Sequence, residues 1–305
     1  MASPAWSSAL AGTWRRYRTW ALTARELKAS LDRWRSWTLI LAVSGAILVT
    51  LGQQLGTLAA RIGSWAAPAG KGAGLAGAAA IALSAYFARE ALSSESVQHW
   101  TKCRFTAESL KASTYLYRAG VPPFDGADRD AKLLDRRAAI EDATQGVEPQ
   151  ETETEDKEVD LSTLSAGDYV QRRVNDQIQF HRARSGEYQR KMRALQQVVL
   201  GLGGVAVLLG AVSAAKPLVA GWTAVIATVT AALSSHFQSQ RYQTLTAAYQ
   251  ATARRLEVLR DKWEVSGKAD SDRNSFIQSC EDTMASENGA WVTQWSQQKA
   301  PSQKP

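Results

Sequence analysis

Groups that do chemistry are scarce in this sequence. It holds three histidines and two cysteines in 305 residues. His99, His181 and His236 lie far apart, and Cys103 and Cys280 belong to no CxxC pair, so zinc-binding spacing is missing. No HExxH, no nucleophile elbow and no pair of carboxylates within an apolar run occurs. Gly72, Gly74 and Gly77 fit GxGxxG by letter only, because no strand precedes them and they open an apolar run. Gly70-Lys71 makes no phosphate loop, since the upstream glycine is misplaced and no Ser or Thr follows. No catalytic residue, cofactor-binding residue or metal ligand is assigned, and the chain is not read as an enzyme. A cleavable signal peptide is also missing: the first apolar run is too long for one and follows Arg15, Arg16, Arg18, Arg25, Lys28, Arg33 and Arg35.

What the sequence does have is segregation. Mean hydropathy is −0.26, yet charge-free stretches alternate with highly charged ones. Four stretches read as transmembrane helices, since about 20 apolar residues cross a bilayer core. They run over about 37–60 and 72–88, then about 194–215 and 218–237. Trp34 and Trp37 at one end, with Trp65 and Trp222 near the other, match the aromatic belts of a bilayer. The fold class is all-α: an integral membrane protein of two tandem helical hairpins.

Lysine and arginine set the orientation. The segments before the first span, between the second and third, and after the fourth are rich in both. The outer loops carry only Arg61 and Lys71, then Lys216. Both hairpins enter from the cytoplasm and return to it, so both termini are placed there, at the plasma (inner) membrane. The net charge of +7 accords with an anionic membrane surface. No nucleic-acid-binding motif accompanies it, so no nucleic-acid partner is expected.

The charged segments carry apolar residues at alternating steps of four and three. Trp6, Leu10, Thr13, Tyr17, Trp20, Ala24, Leu27, Leu31 and Trp34 do so before the first span. Val174, Ile178, His181, Ser185 and Tyr188 do so before the third. After the fourth come Tyr242, Leu245, Tyr249, Thr252, Leu256, Leu259 and Trp263. Such a stripe keeps one face against a partner helix, so the hairpins are expected to extend inward as antiparallel, coiled-coil-like cytoplasmic helices. The domains read as a first unit at 1–124, then 125–167 as a short helix and an acidic disordered linker (148–160), a second unit at 168–298, and a frayed tail at 299–305. Gly120 and Pro122-Pro123 end the helix after the first hairpin. A final helix is expected from Asp272 to about Gln297, anchored by Phe276, Cys280, Trp291 and Trp295.

Inside the spans only small and weakly polar groups remain. Gly74, Ala78 and Ala82 form one small-residue stripe, and Thr223, Ala227, Ala231 and Ser235 another. Thr223, Thr230 and Ser234 share a face. Close helix packing accounts for these residues, and a weakly polar pore lining accounts for them too. No ionisable residue lies deep in a span, which argues against a proton-coupled pump and a charge-based filter. Four spans do not easily make a pore alone, so homo-oligomerisation is expected.

The segment YVQRRVNDQIQFHRARSGEYQRKMRALQQ (169–197) before a hairpin resembles the N-terminal signature of SLATT-type proteins, the two-transmembrane effectors associated with SMODS nucleotidyltransferases and SLOG proteins. FIQSCEDTMASENGAWVTQW (276–295) is similar to the C-terminal signature, and HWTKCRFTAESLKASTYLYRAGVPPF (99–124) to the post-hairpin motif, so the chain resembles two tandem SLATT units. The resemblance implies a pore-forming or channel-like membrane effector of a bacterial conflict (antiviral) system, in contact with membrane lipid and opened by a nucleotide signal. This chain shows no nucleotide synthase or sensor domain, so a cytoplasmic activator protein or a diffusible nucleotide is the expected trigger. The alternative is a non-conducting membrane scaffold or sensor that binds partners through its cytoplasmic helices.

Overall fold

The structure is a computed structural model that describes residues 7–91, 94–144, 146–149, 160–213, 215–216 and 219–296. Every regular element among them is helical: α1 (Ser8–Ile62), α2 (Ala66–Ala91), α3 (Ser94–Ala119), α4 (Arg129–Asp142), α5 (Ala166–Tyr169), a π turn (Val170–Asn175), α6 (Asp176–Ser213), α7 (Ala220–Gln240), α8 (Tyr242–Val265) and α9 (Asp270–Ser296). Trp6, most of the acidic linker (150–159), Pro217, Leu218 and the tail at 299–305 lie outside the described residues, as do the side chains of Trp291 and Trp295.

Three helices are long and apolar enough to cross a membrane: Ser8–Ile62, Ala66–Glu90 and the continuous run Ala166–Ser213. The first joins the basic helix and the first expected span without a break. The expected fourth span forms α7, which is not among the three. The first residue of that expected span, Leu218, lies outside the described residues.

By packing, the chain divides into two compact units. One comprises Met1–Ala29, Ser94–Ser185 and Ala247–Pro305, and the other Ser30–Ser93 and Gly186–Thr246. Each unit draws on both halves of the chain, whereas the sequence-based domains follow chain order.

The first unit is a helical bundle with α3 packed along α9. One core cluster joins Val121, Leu164, Tyr169, Val174, Ile178, Leu256, Trp263, Ile277 and Cys280. A second joins Leu10, Tyr117, Phe124, Leu133 and Leu161. Helix α3 ends as its sequence predicts. Gly120 takes φ +62, the left-handed conformation that costs glycine least, and Val121 N–H returns to Leu116 O at 3.2 Å, closing the helix end. Of the amphipathic positions in α4, Leu133 and Ile140 are buried and Leu134 is exposed. The C-terminal edge of the expected linker is held in place: Arg118 donates to Asp160 O and Ser162 O at 2.9 and 3.0 Å, and Leu161 and Leu164 are buried.

In the second unit, α1 and α2 form a hairpin through glycines spaced by seven. A Cβ built on Gly77 would lie 2.7 Å from Val49 N, and one on Gly45 2.9 Å from Gly77 O. Seven residues on in α1 and seven back in α2, a Cβ built on Gly52 or on Gly70 would lie 2.6–2.7 Å from the other glycine's backbone carbonyl. Glycine is required at these contacts, because two backbones that close leave no room for a side chain. Gly77→Val is therefore expected to destabilise the hairpin by roughly 1–3 kcal/mol through overpacking. Gly72→Val, at a position with nothing within 4 Å, should change little. Thermal unfolding of the two variants in detergent checks the contrast.

Candidate functional site

The span-face residues are dispersed. On α7, Thr223, Thr230 and Ser234 are half-buried and Ala227 is exposed. Thr223 Oγ1 is buried without a hydrogen-bond partner among the described residues. On α2, Gly74 is half-buried, with its N 2.7 Å from a Cβ placed on Gly52, while Ala78 and Ala82 are exposed. The heptad-spaced glycines Gly45, Gly52, Gly70 and Gly77, which the small-residue stripe did not single out, make the tight contacts. Their spacing of seven was the available signal.

The α8 stripe lies largely inside. Leu245, Tyr249, Leu256 and Trp263 are buried, and Tyr242 and Leu259 are half-buried. Trp263 stacks on Phe276 with ring centroids 4.9 Å apart. His181 sits beside Tyr249 at 5.3 Å with 2% of its surface exposed. Burial, then the Arg104 charge, lowers its pKa to about 4 against the opposing pull of Glu108. It is therefore neutral at pH 7. Burial likewise raises the Cys103 thiol to about 11 and pushes Cys280 up, and both cysteines are free and buried. Among the described residues no cluster of His, Cys, Asp or Glu could hold a metal ion.

The most concentrated polar chemistry lies in the bundle core. Arg173, in the π turn, is 2% exposed, and Glu281, on α9, is 3% exposed. Arg173 Nε and Nη2 donate to Glu281 Oε1 and Oε2, both at 2.9 Å. Tyr169 Oη donates to Glu281 Oε1 at 2.8 Å, and the guanidinium lies over the Tyr115 ring at 4.5 Å. Burial alone would lower the arginine's pKa, but the Glu281 charge and its hydrogen bonds outweigh that and raise it. Burial, then the Glu281 charge, holds Tyr169 protonated. On the rim of this network, burial and then Glu108 raise Tyr17 to about 12, and burial and then Arg173 lower the pKa of Lys111. A bidentate, hydrogen-bonded geometry is what a buried pair needs against its desolvation penalty.

Each member of the pair stands as a lone charge on an apolar face: Arg173 among Val170, Val174 and Ile178, and Glu281 among Ile277, Cys280 and Met284. The stretch that contains both is also the stretch that matches a known family. Residues 169–291 match the model described as SMODS and SLOG-associating 2TM effector domain 1. The chain carries a SLATT domain. SLATT domains are two-transmembrane effector domains associated with bacterial conflict systems. In this SLATT domain the match begins at Tyr169, the first member of the buried network, and runs past Glu281. Residues 18–132 match a second model, described as a protein of unknown function (DUF4231). No curated protein and no solved structure matches the chain.

Two outcomes follow for the SLATT-domain core. Arg173→Met leaves the Glu281 carboxylate buried without its countercharge and is expected to cost about 3–5 kcal/mol, whereas Arg173→Met with Glu281→Leu should recover most of that; chemical unfolding of the two variants measures the difference. The second outcome concerns pH. The folded pKa of His181 is below its unfolded value of about 6.5, so the unfolded chain binds the extra proton. Stability is then present above about pH 6.5 and is lost as pH falls toward about 4. His181→Leu should flatten that part of a thermal-stability profile.

Proposed function

We propose that this chain is a multi-pass inner-membrane effector, with both termini in the cytoplasm, that assembles from several copies into a weakly polar pore opened by a signal received on its cytoplasmic helices. The observation that carries the reading is the α5–α6 run. None of its apolar window is buried, against 17% for α1 and 11% for α2. Leu200, Val207 and Leu208 are 78%, 72% and 69% exposed. In water a helix this apolar and this exposed is a liability, whereas lipid or a second copy of the chain covers it without penalty.

The hairpins α1–α2 and α6–α7 supply the four spans. Arginine and lysine flank their cytoplasmic ends, and the family match supplies the effector role. Helices α1 and α6 each continue without a break from a charged segment into an apolar one. An activator protein or a nucleotide acting on the cytoplasmic helices is the trigger in this reading.

The test is ion flux through the purified chain in liposomes, with and without lysate of cells carrying the activated system. Flux that appears with lysate is the expected result. A folded, inserted protein that leaks nothing in either condition makes the chain a non-conducting scaffold. Thr230→Leu is expected to lower conductance at least severalfold if the Thr223, Thr230 and Ser234 face lines the path, and unchanged single-channel currents take α7 out of the lining.

A further inference from the structure

The π turn at Val170–Asn175 stands between α5 and α6 inside one continuous helix. A π turn carries one residue more than the α turn it replaces, and it is rare because its hydrogen-bond geometry is poorer. Something in the surroundings has to hold it. The buried positions of this segment are Tyr169, Val170, Arg173, Val174 and Ile178, so the core stripe runs from Val170 to Val174 to Ile178 in two steps of four. In an α-helix each residue turns about 100°, so each four-residue step overshoots by about 40°. The widened turn absorbs that overshoot and lets Arg173 and Val174 face the core together. At its middle, Arg173 is clamped by two hydrogen bonds to Glu281. Tyr169, just before the turn, is tied to the same carboxylate.

We infer that the π turn is a register switch latched by the Arg173–Glu281 pair, and that releasing the latch converts the turn to α-helix and rotates α6. The extra residue then contributes a normal α step. With α5 held by its cap, in which Ser165 and Asp168 satisfy each other's backbone N–H groups, every residue of α6 moves to the angular position its successor held. That is a turn of about 100° with about 1.5 Å of rise. Ile178, 4% exposed, would take the exposed place of Gln179, and Phe180, 43% exposed, would take the buried place of His181. This inference holds whether or not the spans conduct.

The test uses the full chain with one introduced cysteine, Ile178→Cys or Phe180→Cys, and a charged maleimide, with labelling read above that of the parent chain, whose two cysteines are buried. Glu281→Gln removes the charge that holds the latch. The expected result is reciprocal: labelling at 178 rises at least about tenfold while labelling at 180 falls. Deleting Gln171, an exposed residue of the π turn, removes the residue that would be released. In the Glu281→Gln chain that deletion should cancel both changes. A rise at both probes would be general loosening and would overturn the inference, as would no change at either. If Glu281→Gln does not fold, the Gln171 deletion alone decides. A folded chain with 178 still protected is expected, because an unbroken α-helix then joins the two flanks in their present orientation. An unfolded chain, or exposure of 178, would mean that the extra residue serves packing and not a switch.

Discussion

A charge pair that water cannot reach organises the first unit. Arg173 and Glu281 lie 108 residues apart in sequence, and removing either would leave the other as an uncompensated charge in that core. Their hydrogen bonds tie the π turn at Val170–Asn175 to α9, and the guanidinium lies against the Tyr115 ring. The apolar side chains around the pair supply most of the burial, but many packings would bury leucine and valine equally well. A bidentate ion pair has far fewer acceptable arrangements, so it is suited to select one of them.

Much of the helical scheme was legible from the sequence because helices announce themselves by period. The α8 stripe from Tyr242 to Trp263, the stop at Gly120, and the short helix through Leu133 and Ile140 all rest on local chemistry that a window of a few residues contains. The apolar stretches were legible for the same reason, and three of them fall in helices long and apolar enough to cross a membrane.

What the sequence concealed was long-range or a matter of backbone. Nothing local says that Arg173 will meet Glu281, only that each interrupts an apolar face. A π turn has no composition of its own and appears only when the buried positions are known. The grouping of α3 and α9 into one bundle joins stretches that chain order keeps in different halves. The glycines of α1 and α2 were visible as small residues, but their pairing depends on which helix lies opposite and in which register.

That glycine pairing has a further consequence for how matter could cross a membrane here. Where Gly45 meets Gly77 and Gly52 meets Gly70, a single added carbon would fall within 3 Å of the facing backbone, so the seam between α1 and α2 is too narrow for a water molecule. Over those turns the two helices are sealed against each other, so water at that level would have to pass along a flank of the pair and not between its members.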